Sequence, residues 1–314
     1  GSLGITAMYG GTGLNVILPS DSIGKDDCEI DLQSLKDILS GVKGIIEIAT
    51  NGSVIINTET GEIVLPFTPG KLVLPNVKSE VATMSSGEML KFLSKLLPFS
   101  ATSENRRNLF GVLMETQDSG LRLVASDGFR LGYADTSAMV TKSEAIMIPL
   151  YFAKLLQGIL KLVPDSEVSI RADKSNVKLQ SEYFELVFSR PDFEFPDYKR
   201  ILPSTFKTQL KANREELLEV INRSLGADKV RLVREDGVIS ITGKIGEGNF
   251  THKVNVAGEG ELKATYNPNF LKDALVAMDC ELVTLGFVEA NSPLQLTPEE
   301  GDAEKYLLMP IRDI

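Results

Sequence analysis

The sequence predicts an α+β fold assembled from one β-α-β-β-β unit used repeatedly. Two observations carry this. The first is the stretch Pro149-Leu-Tyr-Phe-Ala-Lys-Leu-Leu-Gln-Gly-Ile-Leu-Lys-Leu162. Leu150, Ala153, Leu155, Leu156, Ile159, Leu160 and Leu162 form a broad stripe of helical period, with Lys154 and Lys161 on or beside its polar side. Pro149 suits the helix start, where no backbone donor is needed. Weaker copies of this helix lie at 31–41, 87–97, 214–225 and 267–277, and their equivalent leucines, Leu35, Leu93, Leu156, Leu218 and Leu271, are 58, 63, 62 and 53 residues apart. Such spacing marks an internal repeat. The second observation is that short alternating runs joined by glycine turns follow every helix.

In chain order, residues 3–24 read as two strands, with Leu3, Ile5 and Ala7 alternating in one and Leu14, Val16 and Leu18 in the other. Tyr9-Gly-Gly-Thr-Gly13 connects them; it is not a phosphate loop, because no helix and no Lys-Ser/Thr follow. A helix at 31–42 precedes strands at 45–50, 53–58 and 62–67, and Asn51-Gly52 is a strong hairpin signal. The helix at 85–97 precedes strands at 109–116, 121–126 and 130–134. The helix at 149–162 precedes strands at 167–172, 176–180 and 183–189. The helix at 213–225 precedes strands at 229–234, 238–244 and 250–256, and the helix at 267–279 precedes strands at 282–287, 293–297 and 305–310. One short strand leads into each helix, as at 145–148, 209–211 and 261–265. A single amphipathic helix cannot cover a sheet face, so units are expected to pair into domains with two helices on one face. The Pro-containing segments 72–76 and 195–203 read as crossings between domains. The expected domains are 1–78, with its N-terminal unit mostly absent, 79–204 and 205–314.

The 314 residues are 43% apolar, enough for several cores. No apolar run approaches the roughly 18 residues of a membrane span, so no membrane association is expected. No secretory signal opens the chain, and Gly1-Ser2 reads as a remnant of expression. Cys28 and Cys280 fit no metal spacing, which suits a reduced, cytoplasmic setting without cofactor or metal. His252 sits in an alternating run and reads as a strand histidine. Formal net charge is −10, yet residues 31–43, 85–97, 149–162, 213–225 and 267–279 carry 0, +1, +2, −1 and −1, a net of +1. The helices thus share a face that does not repel a polyanion. No catalytic residue is expected: Glu215-Glu216 and Glu299-Glu300 are sequence neighbours that point in different directions, and no Ser-His or Cys-His arrangement stands out.

Three motifs are more specific. Ala125-Ser-Asp-Gly-Phe-Arg-Leu131 resembles Ala-Thr-Asp-Gly-His-Arg-Leu of the bacterial DNA sliding clamps, the beta subunit of DNA polymerase III. Phe195-Pro-Asp-Tyr-Lys-Arg-Ile-Leu-Pro203 resembles their Phe-Pro-Asp-Tyr-Arg-Arg-Val-Leu-Pro, and Tyr306-Leu-Leu-Met-Pro-Ile-Arg312 their Tyr-Val-Val-Met-Pro-Met-Arg. The motifs occur in the family's order, and the resemblance runs from Leu3 onward. It implies the DNA clamp fold: three similar domains per chain, two chains head to tail in a closed ring, helices inside and sheets outside. It implies a non-catalytic processivity factor that encircles duplex DNA without reading sequence and tethers DNA polymerase, the clamp loader and repair proteins through short peptide motifs.

The resemblance also places sites. The peptide pocket would comprise Leu109, Ser126, Gly128, Phe129, Arg130 and Leu131, then Pro196, Arg200 and Ile201, then Asn267, Phe270, Leu307, Leu308, Met309, Pro310, Ile311 and Arg312. Apolar members and Met309 suit adaptable walls, and Arg130, Arg200 and Arg312 suit polar groups at the rim. Ring closure would use Leu35, Ile38, Ile63 and Leu65 against Ile221 and Leu225 of a neighbour. DNA-facing candidates are Lys91, Lys95, Arg106, Arg107, Lys154, Lys161, Arg223 and Lys272. Phe129 stands for the family's histidine and Ser126 for its threonine, and Asp313-Ile314 extend past the usual last leucine. The shortened first domain keeps a second reading open: an adaptor that retains the pocket without encircling DNA.

Overall fold

The computed structural model describes residues 2–9, 12–21, 26–40, 42, 45–301 and 303–312. The connection expected at 9–13 and the end at 313–314 fall wholly or partly outside them. Two compact units emerge: residues 1–76 with 182–187, and residues 77–181 with 188–314.

In the first unit, Ser2–Tyr9 and Thr12–Pro19 pair antiparallel from Ser2↔Pro19 to Tyr9↔Thr12. The free edge of the second strand takes residues 184–187, in register Phe184↔Val16 to Val187↔Gly13. Helix α1 spans Leu32–Leu39 and is capped by Asp31, whose carboxylate accepts from the Ser34 amide at 2.8 Å. It ends earlier than expected, because Ser40 is already extended at ψ 112°. A three-stranded meander follows: Glu47–Thr50, Ser53–Thr58 and Gly61–Pro66. Its first turn places Gly52 at φ +67°, which is why Asn-Gly stands there. Val54 and Ile56 are fully buried on the central strand. The strand expected from Ile45 starts at Glu47, and Ile45 is 86% exposed.

Among its described residues the second unit holds four α-helices: α2 (Ser86–Leu96), α3 (Leu150–Leu160), α4 (Arg214–Arg223) and α5 (Pro268–Ala277). Ser85 caps α2 through the Glu88 amide at 3.0 Å, and Asn213 caps α4 through the Glu216 amide at 3.0 Å. Pro149 occupies the extended cap position of α3, one residue before the predicted first turn, whereas Pro268 does open α5. The apolar stripes turn inward: Met89, Phe92, Leu93 and Leu96 of α2; Ala153, Leu156, Ile159 and Leu160 of α3; Leu217, Val220 and Ile221 of α4; Leu271, Ala274 and Leu275 of α5. Leu155 and Leu162, read from periodicity as stripe members, are exposed. Leu162 follows the helix end. The helices touch in the order α3, α2, α5, α4, so the four form one row.

Against that row lies one twelve-stranded antiparallel sheet. Ala145–Pro149, Gly111–Gln117, Gly120–Ser126 and Arg130–Asp135 form its first part. Glu304–Leu308, Leu294–Pro298, Leu282–Phe287 and Thr208–Asn213 continue it, and the long strand Gly248–Glu259 carries it to Val238–Ile245, Val230–Glu235 and Lys263–Tyr266. The seam between the two meanders is the pairing of Arg130–Asp135 with Glu304–Leu308, in register Arg130↔Leu308 to Ala134↔Glu304. Each helix is followed by strands close to those expected, although the strand expected from Leu109 starts at Gly111 and the one expected to reach Pro310 ends at Leu308; the seam that joins their sheets is not visible in the sequence.

Candidate functional site

At one end of the seam, residues 126–130 make a tight turn that the sequence specifies residue by residue. Asp127 Oδ1 accepts from the amides of Phe129 at 2.9 Å and Arg130 at 3.0 Å. Ser126 Oγ donates to the Arg130 carbonyl at 2.8 Å and accepts from the Gly128 amide at 3.1 Å. Gly128 sits at φ +88°, a region costly to other residues. The turn thrusts Phe129 outward, 52% exposed. Leu109 lies beside it, with Cδ1 3.7 Å from where a Gly128 β-carbon would stand.

The chain end is laid against this turn. The Met309 amide donates to the Phe129 carbonyl at 2.8 Å, one step beyond the seam, and the Ile311 amide donates to the Thr265 carbonyl at 2.7 Å. Met309 is left 40% exposed, and Ile201, in the crossing segment, 47%. Leu131 and Leu307, two residues along the chain from Phe129 and Met309, belong to a buried cluster with Leu113, Val124, Tyr133, Met147 and Tyr198, on which Phe193 and, from the crossing segment, Phe195 and Leu202 pack. An apolar floor with partly exposed Phe129, Met309 and Ile201 is what a site for apolar side chains requires. Beside Phe193 opens a depression of about 700 Å³ between Glu104, Asn105, Arg107, Asn108 and Asp192.

Arg130 is not the rim group the sequence suggested. Its side chain is 12% exposed and bonds Asp127 Oδ2 at 3.0 Å, Asp273, and the Pro98 carbonyl at 2.6 Å. Its guanidinium also stacks over Phe270 at 4.4 Å and faces Phe99 at 5.4 Å. Each of its three side-chain nitrogens donates internally, so its work is to hold the turn to α5. Asn267 caps α5 through the Asn269 amide at 2.9 Å. Ser126, Leu131, Leu307 and Leu308 are buried, and Leu308 is wholly inside. Gly128, Pro196 and Arg312 are exposed, and Pro310 and Ile311 half-buried. The Arg200 side chain, 83% exposed, pairs with Asp197 at 2.8 Å.

Tyr198 was missed by sequence reasoning. Its hydroxyl donates to Glu115 Oε2 at 2.9 Å, and Glu115 also takes Lys199 at 2.9 Å. Burial and the adjacent Glu115 carboxylate push the Tyr198 hydroxyl well above its ordinary range. The aromatic spacing Phe193, Phe195, Tyr198 was the available signal, since all three fold onto one cluster.

The basic candidates divide. Lys91, Lys154 and Lys161 are exposed on or just after α2 and α3, and make no ion pair with a described residue; Lys272 of α5 is half-exposed. Lys95 is not solvent-facing: 11% exposed, it pairs with Glu304 at 2.5 Å, anchoring α2 to the seam. Arg106 donates to the Asp127 carbonyl and covers the Phe129 ring at 4.8 Å, so it belongs to the turn. Arg107 lines the depression, and Arg223 pairs with Glu219 one helical turn back. Of the apolar interface candidates, Leu35, Ile38, Ile63, Leu65 and Leu225 are half-buried. Ile221 is fully buried under α4, so it serves its own core and offers no surface to a neighbour.

Comparison with known proteins decides the family. Residues 84–197 match the DNA polymerase III beta subunit central domain, and residues 199–312 its C-terminal domain. The chain belongs to the DNA polymerase III beta subunit family. It is a DNA sliding clamp, a non-catalytic processivity factor of replication. The beta sliding clamp of Vibrio cholerae is 28% identical over 255 residues, 76% of this chain and 68% of that relative; that of Chlamydia pneumoniae is 26% identical over 252 residues, 76% and 67%. The crystal structure of the Thermotoga maritima beta subunit superposes with TM-score 0.89 at 27% identity, covering 100% of this chain and 89% of that one. A Pseudomonas aeruginosa sliding clamp bound to griselimycin shares the fold, with TM-score 0.87 at 20% identity over 99% and 89% of the two chains. The α+β clamp fold is thereby shown. Among the described residues no helix is long and apolar enough to cross a membrane.

Proposed function

We propose that this clamp encircles duplex DNA as one half of a head-to-tail dimeric ring of three-domain chains, with residues 1–78, 79–204 and 205–314 as the domains, and works in the cytoplasm. One observation carries the reading: the four helices of the second unit form a single row, α3, α2, α5, α4, backed by one continuous sheet. Lys91, Lys154, Lys161 and Lys272 belong to that row and are exposed or half-exposed, in a chain whose net charge is −10. A few cations on a helical wall give contact with phosphate that is weak and independent of sequence, as sliding demands. The patch of Phe129, Ile201 and Met309 over the Leu131–Leu307 cluster would take short apolar-aromatic peptides of polymerase and clamp-loader subunits. Half-buried Leu35, Ile38, Ile63 and Leu65 of one chain and Leu225 of the next are the proposed ring contacts.

Encirclement makes a topological prediction. Loaded by its cognate clamp loader, the protein is expected to stay on nicked circular plasmid and to leave the same plasmid once linearised. Equal retention on both, or release from both, would favour the adaptor that keeps the pocket alone. For the pocket, Met309→Ala and Phe129→Ala are each expected to weaken a polymerase-derived peptide by about tenfold, roughly the 1.4 kcal/mol of a contributing interface anchor. Both side chains are substantially exposed, so the melting temperature should hold. Unchanged affinity in a calorimetric titration would move the site elsewhere.

A further inference from the structure

Apart from the turn and its apolar cluster, the second unit holds a cavity of about 300 Å³ over strands Thr208–Asn213, Leu282–Phe287 and Leu294–Pro298. The register explains why it exists. Gln209 stands opposite Gly286, and Gly286 opposite Gln295, so the three form one cross-strand row whose middle member has no side chain. The Phe206 ring closes over the gap: a β-carbon at Gly286 would lie 2.6 Å from its edge. Thr284 and Thr297, opposite each other in the same ladder, add hydroxyls to the lining.

The lining carries one cation, Lys305, and one carboxylate, Glu299, so it is neutral only in sum, and its polar chemistry is unfinished. Gln295 is only 6% exposed, and its Oε1 is buried without a hydrogen-bond partner among the described residues. A buried acceptor left unmade is costly, so a partner is expected from whatever fills the cavity. The one carboxylate at the mouth, Glu299, is held by Lys211 at 2.7 Å. A glutamine amide presents an acceptor beside a donor, and its natural complement is an edge carrying both, as adenine does at N6 and N7. Phe206 adds an aromatic wall suited to a flat partner.

We propose that the cavity between Phe206 and Gln295 binds a small, neutral, planar molecule whose edge carries a hydrogen-bond donor next to an acceptor. A nucleobase and a primary aromatic amide share that chemistry, and the proposal does not depend on ring closure or on the peptide site.

Adenosine and benzamide are the probes, titrated against the full chain by ligand-observed saturation-transfer NMR. Saturable millimolar binding of either is expected; adenosine alone would name a nucleobase as the source, benzamide alone a carboxamide. Gln295→Leu should weaken it tenfold or more. Phe206→Ala, at a half-exposed position that leaves the strands intact, should weaken it at least threefold and keeps the test decisive if the first variant unfolds. No saturable signal from either probe would mean that water alone meets Gln295, and unchanged binding in Gln295→Leu would place any ligand elsewhere; both outcomes overturn the proposal.

Discussion

Arg130→Ala is expected to cost about 3–5 kcal/mol of stability in the second unit, the range for breaking a buried ion pair from one side. The guanidinium is 12% exposed, while its partners Asp127 and Asp273 are 17% and 31% exposed. Removing it leaves two poorly hydrated carboxylates without a counter-ion and the Pro98 carbonyl without its donor. It also takes packing from Phe270 and Phe99. Arg130→Lys should recover little, because an ammonium cannot fork to three acceptors while stacking on two rings. The urea midpoint of the unit reports the loss, and hydrogen exchange locates it. The Met309 amide, bonded to Phe129, should lose protection first, followed by the seam strand Glu304–Leu308. A loss below about 1 kcal/mol would mean that water already satisfies the pairs, as for surface salt bridges, and that the seam stands on its backbone bonds.

That expectation could not have come from the sequence, and the reason is specific. Local periodicity made the five helices and most strand runs legible, because amphipathic stripes and Asn-Gly turns act within a few residues. The turn at 126–130 was legible too, since Asp127 and Gly128 enforce it by their own backbone chemistry. What periodicity lacks is partners. Lys95 looked like one more lysine on a polar helix face, but Glu304, its partner, lies 209 residues away. Arg130 looked like a rim cation, but Asp273 lies 143 residues away. Ile221 looked presentable because nothing in a lone helix says which edge of its stripe will be covered, and in the fold it is fully buried. The errors at Lys95 and Arg130 have one source: the seam brings together two meanders far apart in the chain and consumes groups that would otherwise face solvent.

The same seam governs Leu307→Ala, for which a loss of about 2–5 kcal/mol is expected, the range for large-to-small changes in a packed core. Leu307 is 2% exposed and stands directly across the ladder from Leu131, within the cluster of Leu113, Val124, Tyr133, Met147 and Tyr198. Strands on both sides of it are fixed by backbone pairing, so the gap cannot easily collapse and the cost should fall in the upper half of the range. Two controls separate this from a direct effect on peptide capture. Met309→Ala, at a 40% exposed position, should lower affinity without moving the melting temperature, whereas Leu307→Ala should lower both. Leu131→Ala combined with Leu307→Ala should cost less than the two single changes added together, because facing residues share one cavity. Strict additivity would show that the two leucines pack into separate environments, and the floor of the pocket would then have to be redrawn around Tyr198 and Phe195 alone.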